Sequence, residues 1–240
     1  QINDLIQGKV NVNSNEIDDY IILRSNGSPT FLLSSAVDDF DMNISHIIRG
    51  DDHLTNTFRQ IFIFDYLYEK LPKFAHIPLI HNEQGKKLSK RDNVKSIIDL
   101  KKEGFINKAI INYLLRLGWA HKNLEVFSIE QVINLFKIKN VGKSPAKINE
   151  KKMLNLNSYY LKNLSKEDIL QLLIAISNEK EIKINSYQKD VMLNLINTFK
   201  GRSKNINDLY NSLKFIFHND IEIAKNDNEI LLNSKNYKNG

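Results

Sequence analysis

No cysteine occurs among the 240 residues. That excludes disulfides and any zinc site built on thiolates. No apolar run is long enough for a membrane span, and no signal peptide opens the chain. A soluble cytoplasmic protein with no membrane contact is therefore expected. None of the six histidines pairs with another at a helical metal-binding spacing such as HExxH. His76 and His81 only flank a proline-containing segment, and no protein-held metal is expected. Internal repeats and low-complexity segments are also missing. The chain starts at Gln1 rather than methionine and ends in the polar NSKNYKNG, so both ends read as cuts in a longer protein.

What is present bounds the answer further. Hydrophobic residues make up 42%, enough for a core and too many for wholesale disorder. The length suits one large domain or two to three small ones. A net charge of +6 leans towards an anionic partner. Heavy use of Asn, Lys and Ile lowers the weight of any single lysine.

The first part of the chain alternates. YIILRS (20–25) is β-branched and apolar, and reads as a buried strand. NGSP (26–29) reads as a turn, with Gly27 free to take positive φ. TFLLSSAVDDFDM (30–42) suits a helix or a strand-helix junction, and NISHIIRG (43–50) a second strand ending at Gly50, where the chain turns. Residues 51–71 read as a helix with Leu54, Phe58, Ile61, Phe62, Tyr66 and Leu67 on its apolar face, ended by Pro72. FAHIPLIHN (74–82) is a short apolar segment. The order predicts an open α/β sheet, whose ligands bind beyond the carboxyl ends of the strands.

From about residue 94 the pattern is helical. Segments 96–105 (stopped by Gly104), 106–119, 128–136, 147–163 and 165–177 are predicted helices, with at least two more in 186–218 around Gly201. Ser128 and Ser165 are predicted N-caps, Ser128 with a capping-box Gln131. Ile106, Ala109, Ile110, Tyr113, Leu114 and Leu117 form an apolar side. Tyr113, Trp119, Tyr159 and Tyr160 read as core.

Two constellations could carry chemistry. QGKKLSKR (84–91) sets Lys86, Lys87, Lys90 and Arg91 on one loop. Lysine is a compact point charge on a flexible stem, suited to phosphate. Lys87 and Lys90 could close over a triphosphate and stabilise departing pyrophosphate, with Ser89 adding a hydrogen bond. The bland alternative is a solvated basic patch. In HIIRGDDHL (46–54), Arg49 ends a strand, placed to grip a carboxylate. Its bland alternative is an ion pair with Asp38, Asp39 or Asp41. Asp52 could hold ribose hydroxyls. Adjacent aspartates on a helix point in different directions, so Asp38, Asp39, Asp41, Asp51 and Asp52 suit capping or the neighbourhood of Mg2+ better than a two-carboxylate hydrolase site.

Three blocks run in order: GSPTFLLSSAVDDFDMNISHIIRGDDHLTNTFRQ, FAHIPLIHNEQGKKLSKR and GFINKAIINYLLRLGW. Together they resemble the bacterial glutamyl-tRNA synthetases, class I aminoacyl-tRNA synthetases, and KLSKR resembles the family's KMSKS signature. The resemblance covers residues 1 to about 163. It implies the second half of a Rossmann-like parallel sheet followed by all-α helical domains. Residues 1–85 would be the end of a connecting insertion and that half-sheet, 86–163 the signature loop and helical stem-contact region, and 164–240 the start of an anticodon-binding domain. It implies that ATP, with Mg2+, activates L-glutamate to glutamyl-adenylate before transfer to tRNA(Glu), or to tRNA(Gln) as well. A monomer is implied.

Residue by residue, the resemblance puts Lys87 and Lys90 on the signature lysines, with Ser89 between them. Arg49 falls on the glutamate-binding arginine, Asp52 on an acidic position near ATP, and Ile80 on an apolar residue against adenine. Phe31 and Ser35 stand at glutamate-facing positions where many members carry Tyr and Asn. The family's HIGH signature is absent from the sequence, so the isolated chain is expected to be inactive. The rival readings are a glutaminyl-tRNA synthetase, a shortened base-modifying paralogue, and a non-catalytic tRNA-binding protein derived from a synthetase.

Overall fold

A computed structural model describes residues 1–67, 71–88 and 95–217. The chain divides into two compact units, Gln1–Lys95 with Ile111–Lys152, and Ser96–Ile110 with Met153–Gly240.

In the first unit, β1 (Ile2–Asp4) and β2 (Gly8–Val10) form an antiparallel hairpin. After α1 (Phe31–Asp41), β3 (His46–Gly50) runs parallel to β4 (Lys73–Ile77), with Arg49 opposite His76. Parallel neighbours need a crossover rather than a tight turn. A 3-10 turn at Asp51–His53 and then α2 (Leu54–Leu67) begin that crossover. Ala36, Ile47, Ile63, Phe64 and Phe74 form the core between the sheet and α1 and α2. The hairpin is tied to β4 by a hydrogen bond from the Leu5 N–H to the Phe74 carbonyl, 2.8 Å long.

Part of this differs from the expectation. Residues 20–25 are not a buried strand: Ile21 and Leu23 are 69% and 55% exposed. β-Propensity makes a strand only where a neighbour pairs, and here the backbone folds back on itself. Arg24 donates to the Ser28 carbonyl and Thr30 to that of Ile22. Gly27 turns the chain at φ 82 as expected. Gly50, by contrast, has ordinary extended backbone at φ −66; what an added Cβ would meet there is Asp52 Oδ1, at 2.6 Å. The buried face of α2 is also rotated. Phe58 is buried as predicted, but its companions are Thr57, Gln60, Ile63 and Phe64, while Phe62, Tyr66 and Leu67 are exposed. The pattern misled because two polar side chains occupy the inner face. The expected run of α2 on to Pro72 passes through 68–70, which lie outside the described residues.

From residue 97 every named element is a helix: α3 (Ile97–Lys102), α4 (Asn107–Arg116), α5 (Ile129–Leu135), α6 (Glu150–Asn163), α7 (Lys166–Glu179), α8 (Ser186–Phe199), α9 (Ile206–Leu213) and short 3-10 turns. Residues 117–149 are nonetheless largely irregular around α5, with isolated bridges such as Trp119 to Val141. Ser128 caps α5 in a capping box with Gln131, and Ser165 caps α7. Trp119 and Tyr113 are buried, but Tyr159 is half exposed and Leu114 is 41% exposed, so neither is core. Among the described residues no helix is long and apolar enough to cross a membrane.

The second unit packs Leu161, Ile169, Leu173, Met192, Ile196, Leu209 and Leu213 in one fully buried cluster. Gly104, at φ 85, ends the α3 turn where an added Cβ would lie 2.8 Å from the Asn207 nitrogen. Buried Asn157 ties separate segments: its Oδ1 accepts from the Ile106 N–H and its Nδ2 donates to the Lys204 carbonyl, each at 2.8 Å. Truncating it leaves two backbone groups unpaired. Asn157→Ala is therefore expected to destabilise the chain by about 1–3 kcal/mol, read as a lower urea midpoint. An unchanged midpoint would show that water replaces both bonds.

Candidate active site

Arg49 stands at the carboxyl end of β3 and is partly buried. Its Nε donates to His76 Nε2 at 3.3 Å. Its Nη2 donates to Thr57 Oγ1 and Gln60 Oε1, both at 2.7 Å, and more distantly to the His53 carbonyl at 3.5 Å. Gln60 in turn donates through Nε2 to Ser35 Oγ, which itself donates to the Phe31 carbonyl. One chain of hydrogen bonds thus joins α1, α2, β3 and β4. All these partners are neutral. Among the described residues Arg49 forms no ion pair, and no hydrogen bond from Nη1 ends on any of them. The guanidinium is held along one side and keeps donors for a ligand. Burial lowers it from its ordinary value, and the Asp39 carboxylate opposes that shift. Asp39 is itself raised by burial, against the pull of Arg49. The expected bland partners Asp38, Asp39 and Asp41 therefore act at a distance at most.

Behind Arg49 lies Asp4, on the hairpin 72 residues from His76. Its Oδ2 is 2.6 Å from His76 Nδ1, and both side chains are fully buried. Its Oδ1 accepts from the backbone N–H groups of Ile6, Gln7 and His76. His76 Nε2 faces both the Arg49 Nε–H and, at 3.0 Å, the Thr57 hydroxyl; arginine has only donors and the hydroxyl can donate too, so Nε2 serves both as an acceptor. His76 is thereby fixed as the Nδ1–H tautomer, donating to Asp4.

The other expected site residues make contacts of their own. Phe31 is half exposed, its ring 5.4 Å from that of His53. Asp52 pairs with Lys87 at 3.4 Å, both side chains well exposed. The backbones of Lys87 and His81 form an isolated antiparallel β-bridge, and the Leu88 N–H donates to the Ile80 carbonyl. Ile80 lines an apolar cavity of about 210 Å³ with Ile77, Pro78, Leu115, Trp119 and Phe136. Ser89, Lys90 and Arg91 lie outside the described residues.

Residues 1–155 match the family model for tRNA synthetases class I (E and Q), catalytic domain. The chain belongs to this synthetase family. Among its relatives, a "Glutamate--tRNA ligase 2" of Ehrlichia ruminantium is 44% identical over 239 residues, 99% of this chain and 50% of that protein. A "Glutamate--tRNA ligase" of Pelagibacter ubique is 40% identical over 230 residues, 96% and 49% of the two chains. The crystal structure of a glutamate tRNA ligase from Elizabethkingia meningosepticum, solved in complex with its amino acid, aligns with a TM-score of 0.81. It is 29% identical, covering 98% of this chain and 50% of that one. The chain spans about half the length of the relatives it matches.

Within this synthetase unit, sequence reasoning passed over Asp4, Thr57, Gln60 and His76. Two of them left a signal: His76 is a polar residue inside an apolar strand, and Gln60 falls on the inner face of α2. Asp4 left none, because its partner is far away in sequence.

Acid should test the Asp4 anchor. Burial alone would raise its carboxyl. The Gln7 N–H, the His76 ring, and the Ile6 and His76 N–H groups outweigh burial and hold it below the ordinary 3.8. A folded value below the unfolded one stabilises the fold above 3.8, and that stabilisation disappears as pH falls through the folded value. The thermal midpoint of the wild type should therefore fall more steeply below pH 3.8 than that of Asp4→Asn. Parallel curves would show that Asp4 is not held in this way.

Proposed function

We propose that this chain is the part of a glutamate–tRNA ligase that holds the substrate glutamate and the phosphates of ATP. The observation that carries the reading is Arg49: a partly buried cation at a strand end, fixed by neutral partners and free of any ion pair among the described residues. Such a group is a receptor for a carboxylate. The named relatives support glutamate as its source.

In the proposed reaction a glutamate carboxylate oxygen attacks the α-phosphorus of ATP and pyrophosphate leaves. A hydroxyl of the terminal tRNA ribose then attacks the adenylate carbonyl, and AMP leaves. Arg49 orients glutamate, with Phe31 and Ser35 on the same side. Lys87 and Lys90 neutralise the phosphates as charge builds on pyrophosphate, with Ser89 as a further donor. Asp52 accepts from the ribose, and Ile80 packs on adenine. In this reading Asp52 also holds Lys87 near the site until phosphate takes over the ammonium.

Magnesium enters as the ion that ATP carries. The net charge of +6 suits a tRNA partner, whose phosphates dominate affinity. We assign residues 1–85 to the catalytic half-sheet with its preceding insertion, 86–163 to the signature loop and stem-contact helices, and 164–240 to the start of the anticodon-binding region. The proposed enzyme is a cytoplasmic monomer.

Charging of tRNA(Glu) and tRNA(Gln) by the full-length ligase tests the reading. Lys90→Ala is expected to slow charging by roughly 100-fold or more, and Arg49→Ala to raise the KM for glutamate. A ligase that binds tRNA but charges nothing would favour the non-catalytic tRNA-binding protein. Charging with glutamine in preference to glutamate would favour the glutaminyl enzyme.

A further inference from the structure

We propose that His76 and Asp4 are positioning residues for Arg49: the Asp4 carboxylate fixes the His76 tautomer, and that tautomer supplies the acceptor that aims the guanidinium. The proposal rests on the reading of Arg49 as the glutamate-binding group.

Three observations carry it. First, the chain of atoms is continuous. Asp4 Oδ2, His76 Nδ1, His76 Nε2 and Arg49 Nε follow at 2.6 Å and 3.3 Å, with Arg49 and His76 in register on neighbouring parallel strands. Second, the contacts at both ends are one-sided. Arg49 offers only N–H groups and the ionised Asp4 only lone pairs. Thr57 Oγ1 also lies 3.0 Å from His76 Nε2 and can donate to it. An acceptor at Nε2 therefore satisfies both Arg49 and Thr57, and with Asp4 on Nδ1 this selects the Nδ1–H tautomer. Third, the far end is anchored. Asp4 Oδ1 takes three backbone N–H bonds, and the Gln7 side chain donates to the His76 carbonyl at 3.0 Å. The hairpin therefore holds the strand backbone as well as the ring. Nothing about Asp4 requires it to meet substrate.

The arrangement also puts a carboxylate and a guanidinium at the two ring nitrogens of one imidazole. Direct pairing would offset the charge of Arg49 and occupy part of its donor fork. Pairing through the imidazole gives the cation a distant counter-charge while its outer donors stay available. Thr57 and Gln60 complete the grip from α2.

Replacing Asp4 with Asn makes the prediction sharp. Asparagine keeps an oxygen for the backbone N–H groups but offers an amide N–H₂ to His76 Nδ1. The ring must then accept at Nδ1 and carry its proton on Nε2, which leaves Thr57 Oγ1 as its acceptor and turns a donor towards the Arg49 Nε–H. Long-range ¹H–¹⁵N NMR on the labelled chain should report His76 as Nδ1–H in the wild type and Nε2–H in Asp4→Asn. A wild type with Nε2–H, or an Asp4→Asn chain that keeps Nδ1–H, would overturn the proposal without reference to activity.

The functional arm uses the full-length ligase. His76→Leu should raise the KM for glutamate about 10-fold or more, with the KM for ATP unchanged. His76→Gln, whose amide oxygen reaches towards the place of Nε2 and accepts from Arg49, should recover most of that loss. Equal defects in the two variants, or equal shifts for both substrates, would reduce His76 to a structural residue. If Arg49→Ala itself leaves the KM for glutamate unaltered, the glutamate-site reading fails, and the NMR result still decides whether Asp4 sets the tautomer.

Discussion

The first unit is organised around keeping a guanidinium partly out of water without neutralising it. Removing a charge from solvent is costly unless hydrogen bonds replace the lost hydration. Arg49 obtains them from Thr57, Gln60 and His76, and each donor or acceptor comes from an element that must be in place. The parallel register of β3 and β4 brings His76 opposite, the rotation of α2 turns Thr57 and Gln60 inwards, and α1 supports Gln60 through Ser35. A helix that buries glutamine and threonine in place of Phe62 and Leu67 has a poorer apolar face than its sequence allowed. That is a stability sacrificed to a site.

The second unit is built on the opposite rule. Its centre is aliphatic, with Leu161, Ile169, Leu173, Ile196 and Leu213 fully buried. Asn157 is an exception whose both ends are bonded to backbone. Its helices begin where short polar side chains cap them: Ser165 on α7, Asn185 on α8 and Asn205 on α9.

Local signals were therefore legible and distant ones were not. Ser128 with Gln131, Ser165, Gly27 and Gly104 act within a few residues, and their chemistry can be read in a short window. The strand ending in Arg49 could be read for the same reason. YIILRS failed because a strand is a property of its neighbours. The α2 face failed because a hydrophobic pattern treats every polar residue as solvent-facing, whereas Thr57 and Gln60 turn in to meet a charge. Asp4 lay outside any window. Of the site, the sequence showed the groups that would meet ligand and hid those that hold them.

The contact between Asp4 and His76 spans 72 residues, and that separation has a temporal meaning. Closing so long a loop carries an entropic cost that short-range pairs avoid. The caps and hairpin can form as soon as their own residues are free, but Asp4 has nothing to bind until β4 exists. During synthesis the carboxylate leaves the ribosome well before the imidazole that it will orient. On loop-closure grounds the posture of Arg49 is expected late in folding, when the two ends of this segment meet.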